Sequence, residues 1–576
     1  MTELKWWQKA VFYQIYPRSF ADGNGDGIGD FAGMIAKLDY LQDLGVDALW
    51  LSPHFPSPQF DVGYDVADYV GVEPEYGTLD EFKRFLDGAH ARGMRVVLDL
   101  VLNHTSDQHT WFKESRRSRT DPKRDWYVWR PAAPGTDGPP NNWQSAFGGS
   151  AWELDPATGE YYYHFFFKEQ PDLNWRNPEV KQALWDATRF WLDLGVDGYR
   201  LDAIGTIFEA PDMPNHSVTE DLSAVRRTLS PYSGASEADR AAARQIYESL
   251  FEHQHDRPEV HDLMKELRRV VDEYDDRVLI GETDDVTFYG TGDDELHLNF
   301  NFPLINTNHL TPAWIRDNQT ERLGLLPDGA WPCNTLGNHD RSRFLTQFGR
   351  NDPIQDAGLA RVWLALMLTL KGTPFLYNGE EIGMTDWLLT DLADFRDNVG
   401  VWLAGRVAAE TALSPAEIVH LAATNSRDRC RTPMQWTAGP NAGFSPDGVR
   451  TWLPVNPNAA DGVNVATQQA DGHSLLAFYK RMLRFRRSTP ALITGDYEAL
   501  LPDHADVLAF VRRSAADGRA CLVVLNTSEK PQTLALGAVA EAATCLFSTG
   551  HVEGALDALA DLALAPFEVY VGSVPA

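Results

Sequence analysis

Cysteine is scarce. Only Cys333, Cys430, Cys521 and Cys545 occur in 576 residues, scattered with no metal-ligand spacing, so reduced structural thiols are expected. Positive charge is in deficit as well: 51 Lys and Arg stand against 82 Asp and Glu, a net charge of −31. An acidic surface of this kind repels phosphate backbones and anionic membranes, which excludes nucleic acid and lipid as expected partners and suits a neutral ligand. Long apolar runs are missing. The longest, around Val362 to Leu370, is far short of the roughly 20 residues that span a bilayer. Residues 1–10 include Glu3, Lys5 and Lys9 and hold no apolar stretch of signal-peptide length. There is no phosphate loop, no Ser-His-Asp order and no low-complexity segment. A cytoplasmic, unanchored protein is the expectation, with monomer and homo-oligomer both open.

What the chain does hold is apolar and aromatic material, 43% and 11% of residues, enough for a large core. Strands and helices alternate along it. Val11 to Pro17 reads as a strand, followed by a helix from Asp30 to about Leu44. Val46 to Pro53 is a second strand, and 78–91 a helix with Thr78 as N-cap and Glu81 three residues on. Arg95 to His104 is a third strand, apolar on both faces as in a parallel sheet. A helix over 177–194 leads to a fourth strand through Gly198 to Asp202, and further strands end near Glu282, Phe302, Asp340 and Glu381. Helices over 257–274 and 357–371 complete the pattern. Eight strands alternating with helices predict an α/β fold, a (β/α)8 barrel; a doubly wound open sheet is the weaker alternative, since no Gly-rich phosphate turn follows the first strand. The barrel is assigned residues 1–104 and 171–494. A small aromatic-rich domain is inserted at 105–170, a polar helical insertion at 205–256 lies over the rim, and 495–576 form an antiparallel β domain of sandwich type.

In such a barrel the C-terminal strand ends face one pocket. Gathered there are Asp99, Asn103 and His104; Arg200 and Asp202; Glu282; and Asn338, His339 and Asp340. Arg200 and Asp202, two residues apart on a strand, leave the same face, as a structural ion pair or as a nucleophile with its charge held. Like charges at close range resist ionising together. If Arg200 keeps Asp202 ionised, the surrounding negative charge raises the proton affinity of Glu282. An ionised carboxylate facing a protonated one is what retaining glycoside hydrolysis requires. Separately, Asp22, Asn24, Asp26, the Ile28 carbonyl and Asp30 alternate oxygen donors with glycines, as hard cations need. This loop is like the first nine positions of an EF-hand, with Gly33 in place of the bidentate Glu. A structural Ca²⁺, or Mg²⁺, is expected there, against a solvated Asp/Gly turn.

The motifs from Asp99 to His104, Gly198 to Asp202, Gly281 to Thr283 and Gly337 to Asp340 occur in this order. With Gln170 to Trp175 and Arg427 to Trp436, they resemble the α-amylase family of glycoside hydrolases (glycoside hydrolase family 13), in its α-glucosidase and oligo-1,6-glucosidase branch. The resemblance covers nearly the whole chain. It implies Asp202 as nucleophile, Glu282 as acid/base and Asp340 as a third carboxylate gripping sugar hydroxyls. It implies substrate contacts at Asp61, Tyr64, His104, Phe147, Phe166, Arg200, His339 and Arg427, with the Asp61–Arg427 pair closing the pocket floor. The branch's calcium site falls at the 22–30 loop.

The activity so implied is a retaining, exo-acting α-glucosidase on short saccharides. A transglucosylase or sugar isomerase of the sucrose or trehalose type shares the scaffold and the covalent intermediate. A non-catalytic barrel partner, like amino-acid transporter heavy chains, would have lost its carboxylates and gained a membrane anchor. Three features depart from the branch's pattern and leave linkage open. Ala203 follows the nucleophile where relatives show Val with α-1,6 or Thr with α-1,4 preference. The other two are the 205–256 insertion and the pair Asp284 and Asp285.

Overall fold

The computed structural model describes residues 4–229, 234–307, 310–410, 413–514 and 518–575. Parts of the expected barrel (1–3, 308–309, 411–412), rim insertion (230–233) and terminal domain (515–517, 576) lie outside the described residues. Eight parallel strands make the central sheet: β1 Phe12–Ile15, β2 Ala48–Leu51, β3 Arg95–Val101, β4 Gly198–Asp202, β5 Val278–Gly281, β6 Leu298–Asn299, β7 Cys333–Thr335 and β8 Thr373–Tyr377. Their lateral order is β7-β8-β1-β2-β3-β4-β5-β6, and a parallel bridge between Phe300 and Cys333 joins the two ends. The sheet is a closed barrel.

Alternation along the strands explains both its stability and its chemistry. Interior positions near the strand starts are apolar: Phe12, Ala48, Val97, Val278, Ile280, Leu298 and Phe375 form one buried cluster with Trp50 and Cys333. Two residues further along the same faces, the inward positions become Asp99, Arg200 and Asp202. The register pairs Asp99 with Arg200 across β3 and β4. Gly198 opens β4 at φ +150°, and a Cβ there would lie 2.1 Å from the Val278 carbonyl oxygen. Only glycine lets β4 and β5 approach this closely.

Helix boundaries follow local chemistry. Thr78 caps Leu79–Ala91 in a reciprocal capping box with Glu81, as expected. The expected single helix from Asp30 to Leu44 is two, Phe31–Ala36 and Leu38–Leu44, broken at Lys37 (φ −105°, ψ 3°), with Asp30 as N-cap. The strand expected to end near Asp340 stops at Thr335, and β8 stops at Tyr377, four residues before Glu381. Asp340 and Glu381 therefore sit on the connections that follow the strands.

Within 105–170 lies a three-stranded antiparallel sheet of Trp129–Arg130, Glu160–Tyr163 and Trp152–Asp155. The stretch 205–256 supplies two helices, Leu222–Leu229 and Glu237–Ser249. These pack on that sheet, with Leu222, Val225, Leu250 and Phe251 in one buried cluster with Trp143, Trp152, Tyr163 and Phe165. After 495 the chain forms a six-stranded antiparallel sheet and a separate two-stranded ribbon. Val507, Val511, Leu522 and Val524 join Leu534, Leu562 and Leu564 of the ribbon in one core. Leu508, Phe510, Val523 and Leu525, on the opposite face, join the barrel's main core. Among the described residues no helix is long and apolar enough to cross a membrane, and all four cysteines are buried.

Candidate active site

At the C-terminal end of the barrel opens a cavity of about 700 Å³, lined by Asp61, Tyr64, His104, Phe147, Phe166, Asp202, Glu282, Asp340 and Arg427 among others. Arg200 organises it from behind. Fully buried, its Nη1 lies 2.7 Å from Asp99 Oδ1 and 2.7 Å from Asp202 Oδ1, and its Nη2 lies 2.7 Å from Glu282 Oε2. One guanidinium thus fixes carboxylates from three adjacent strands, a role its planar fork suits and a lysine could not fill. Ala203, left-handed at φ +44°, turns its N–H onto Glu282 Oε2 at 2.9 Å. A non-glycine residue in that region is strained, and here the strain fixes the second carboxylate.

The two carboxyls differ in proton affinity. Burial pushes Glu282 up to about 8; Arg200 opposes this, and the charges of Asp202 and Asp340 add to it. Burial also raises Asp202, to about 6, with Arg200 pulling it back down. As expected, Arg200 favours the charged form of Asp202, and the charges of Asp202 and Asp340 raise Glu282. Desolvation is the larger cause at both, and the guanidinium limits how far each one rises. Glu282 is raised further than Asp202, so of the two Asp202 gives up its proton the more readily and Glu282 holds its own the more tightly.

Asp340 sits on the turn after β7. Burial works against its charge, but the Arg431, Arg427 and Arg200 guanidiniums outweigh it and hold the carboxyl far below the usual range. Arg431 Nη2 is 2.6 Å away and Arg427 Nη1 3.6 Å. Arg427 also reaches Asp61 Oδ1 at 2.5 Å and Asp397 Oδ1 at 2.7 Å through Nη2, while its own N–H donates to Asp397 Oδ2 at 2.6 Å. The cavity is lined by Asp61, Asp340 and Arg427 of this ion-pair network. Phe147 lies against it, its ring centre 5.7 Å from the Arg427 guanidinium carbon. Gln170 Nε2 donates to Asp61 Oδ2 at 3.1 Å.

Of the residues expected at the site, nine line the cavity and two do not. Arg200 and His339 are fully buried behind it. The His339 nitrogens lie 2.7 Å from Gln14 Nε2 and 2.7 Å from the Tyr64 hydroxyl, and burial keeps the ring neutral. Tyr64 also donates to Asp99 Oδ2 at 3.0 Å, so its ring faces the cavity while its hydroxyl braces the base. His104 is buried, held neutral by desolvation, and meets the Phe166 ring edge-on at 5.2 Å. Sequence reasoning missed Asp397, whose neighbours carry no motif. It also gave no role to Arg431, although that residue stands inside the quoted Arg427 to Trp436 run.

The Asp22 loop lies away from this cavity. Asp22 accepts from the Gly25 and Gly27 amides at 2.5 and 2.8 Å and from Ser445 Oγ at 2.6 Å. Asp30 accepts from the amides of Gly23, Asn24 and Gly33. Asn24 Oδ1 and Asp26 Oδ1 accept from the Asp26 and Ile28 amides, both at 2.9 Å. Among the described residues none of Asp22, Asp26 and Asp30 has an ion-pair partner, and burial together with Asp22's charge raises Asp30.

The α-amylase catalytic-domain family matches residues 14–495. The chain belongs to the α-amylase family. It is 39% identical to an oligo-1,6-glucosidase of Parageobacillus thermoglucosidasius over 92% of this chain and 91% of that one. It is 37% identical to an α-glucosidase of Pediococcus pentosaceus over 95% and 96% of the two chains. Among solved structures, the trehalulose synthase MutB of Pseudomonas mesoacidophila MX-45 superposes with a TM-score of 0.86 at 37% identity, covering 99% of this chain and all of that one. The barrel and its terminal β domain are those the motifs implied.

Proposed function

We propose that this protein is a retaining, exo-acting α-glucosidase that releases terminal glucose from short α-linked saccharides. One observation carries the reading: Asp202 and Glu282 share the Arg200 guanidinium yet differ in proton affinity, in a cavity also lined by the ion-paired Asp61 and Arg427. Carboxyls about 5–5.5 Å apart act as nucleophile and acid/base in retaining enzymes, and sharing one guanidinium keeps this pair close. An Asp202 oxygen attacks the anomeric carbon as the glycosidic bond breaks, and Glu282 passes its proton to the departing oxygen. Water then attacks the glucosyl ester, returns a proton to Glu282 and frees Asp202. Asp340, anionic throughout, binds sugar hydroxyls and favours the positive charge that develops on the ring. The Asp61–Arg427 wall admits a single sugar unit beyond the scissile bond, which makes the action exo.

The likeness to a trehalulose synthase supports a second reading, transfer of the glucosyl unit to another sugar. Incubation with sucrose, maltose, isomaltose and trehalose separates the two. Free glucose as the dominant product supports hydrolysis; accumulating new disaccharides would reverse the order.

Arg427→Lys tests the wall. Lysine cannot hold Asp61, Asp397 and Asp340 together, so kcat/KM on a disaccharide should fall by about 100-fold or more, with the melting temperature moving less than for a core truncation. Steady-state kinetics alongside calorimetry decide it; unchanged kcat/KM would remove Arg427 from glucose recognition.

The 22–30 loop is the proposed seat of a structural Ca²⁺, or Mg²⁺. Its donor set, three carboxylates without cationic partners, an amide oxygen and a carbonyl, suits a hard cation; the metal would neutralise their mutual repulsion. Chelator treatment should lower the melting temperature by several degrees, Ca²⁺ should restore it, and Asp26→Asn should abolish the difference. Identical melting with and without chelator would contradict the assignment. A cytoplasmic location is supported by the few, buried cysteines and the acidic composition.

A further inference from the structure

At the base of the rim insertion, away from the catalytic carboxylates, a buried histidine presents a nitrogen that no described residue satisfies. His216 is 5% exposed. Its Nε2 lies 2.8 Å from Gln254 Oε1, and Gln254 is itself fixed, since its Nε2 donates to the Gln144 carbonyl at 3.1 Å and to the Tyr163 hydroxyl at 3.0 Å. The Gln254 oxygen must therefore face His216, which puts the imidazole proton on Nε2 and leaves a lone pair on Nδ1. That Nδ1 is buried and, among the described residues, has no hydrogen-bond partner, an arrangement that costs stability unless something binds there. A histidine oriented by a partner on one nitrogen, with the other free, is how metal-binding imidazoles are held.

Two further donors converge on the same point. Glu252 Oε1 is 3.9 Å from His216 Nδ1 and 3.4 Å from His253 Nε2, and all three ligand atoms lie within 4.8 Å of one another. Tetrahedral zinc with bonds of about 2.0–2.2 Å spaces its ligand atoms by about 3.4 Å. The Glu252–His253 distance already matches, the Glu252–His216 distance must shorten by about half an ångström, and the two histidine nitrogens lie within 4.8 Å of each other. The Ser217 amide and hydroxyl, each 3.2 Å from Glu252 Oε1, steady the carboxylate. The two rings are stacked, with centroids 5.1 Å apart and planes 4° from parallel. Shared coordination therefore requires His253, the more exposed of the two histidines at 27%, to turn while His216 stays.

We infer that His216, Glu252 and His253 form a binding site for a divalent transition metal of the zinc class, with water completing the shell. Two imidazoles and a carboxylate favour such an ion over Ca²⁺ or Mg²⁺, so the site differs in chemistry from the 22–30 loop. Its place gives it a consequence. His216 precedes the helix pair Leu222–Leu229 and Glu237–Ser249, and Glu252 and His253 follow it. Arg226, Leu229 and Tyr247, carried between those ends, line the catalytic cavity. A metal here would clasp both feet of the insertion and stiffen the wall where the leaving group sits.

The test uses the full-length, untagged protein after chelator treatment, titrated with Zn²⁺ by calorimetry and with Co²⁺ by visible absorption. One Zn²⁺ per chain should bind at this site, and His253→Ala and Glu252→Gln should each weaken it at least 10-fold. Asp26→Asn should leave it unchanged. His253 and Glu252 are not fully buried, so both variants should fold and keep their maltose turnover, which serves as the folding control. No Zn²⁺ binding by the wild type, affinity unchanged in His253→Ala, or loss of the same binding in Asp26→Asn would each overturn the assignment.

Discussion

Replacing Asp202 by alanine should reduce kcat by about 10⁴-fold or more while leaving the fold intact. Asp202 supplies the atom that bonds to the sugar, and no neighbouring group can take its place: Asp99 is buried behind Arg200, and Asp340 is held by two arginines. Loss of a nucleophile lowers kcat and kcat/KM together, because the interaction exists only along the reaction path. Azide offers a sharper readout. In Asp202→Ala a small anion can occupy the vacated space and attack from the same side, giving β-glucosyl azide from an activated α-glucoside. In Glu282→Ala the glucosyl ester still forms, and azide then displaces Asp202 to give the α-azide. The same anomer from both variants would contradict the division of roles.

The second large effect is on pH dependence. Activity requires Asp202 ionised and Glu282 protonated, so kcat/KM should fall below about pH 6 and above about pH 8. These limbs belong to the coupled cluster of Asp99, Asp202 and Glu282 rather than to single side chains. Glu282→Gln should flatten the alkaline limb on a substrate whose leaving group needs no proton. It should also change stability with a definite sign. A carboxyl raised from 4.5 to about 8 on folding binds its proton more tightly in the native state, so its contribution declines as pH rises from about 4.5 to 8. The glutamine variant carries no such charge and should gain in melting temperature over the wild type by several degrees at pH 9, with a smaller gain at pH 5. A gain that does not grow with pH would show that Glu282 is not held against its charge.

Much of this was legible in the sequence, for identifiable reasons. Strand periodicity places Arg200 and Asp202 on one face, and the alternation of strands with helices over most of the chain favours a parallel barrel. From that architecture alone the strand ends, with Asp99, Asp202 and Glu282, must meet. What could not be read were facts of register and reach. That one guanidinium touches three carboxylates depends on Asp99 pairing with Arg200 across β3 and β4. That Glu282 is braced by the Ala203 amide depends on a left-handed turn that alanine does not announce. Asp397 lies 30 residues from Arg427 in a stretch without pattern, and only the fold brings it to the wall. His339 reads as a sugar contact, yet Gln14 and Tyr64 occupy its nitrogens, so it braces Tyr64 and Asp340 instead.

The most direct test of the central claim is to trap the glucosyl-enzyme. Incubation with 5-fluoro-α-glucosyl fluoride, whose added fluorine slows turnover of the ester, followed by proteolysis and mass spectrometry, locates the bond. The account predicts a single fluoroglucosyl adduct on Asp202 that disappears when maltose is added. An adduct on Asp340 or Glu282, or an inverted first product with no adduct at any residue, would contradict it.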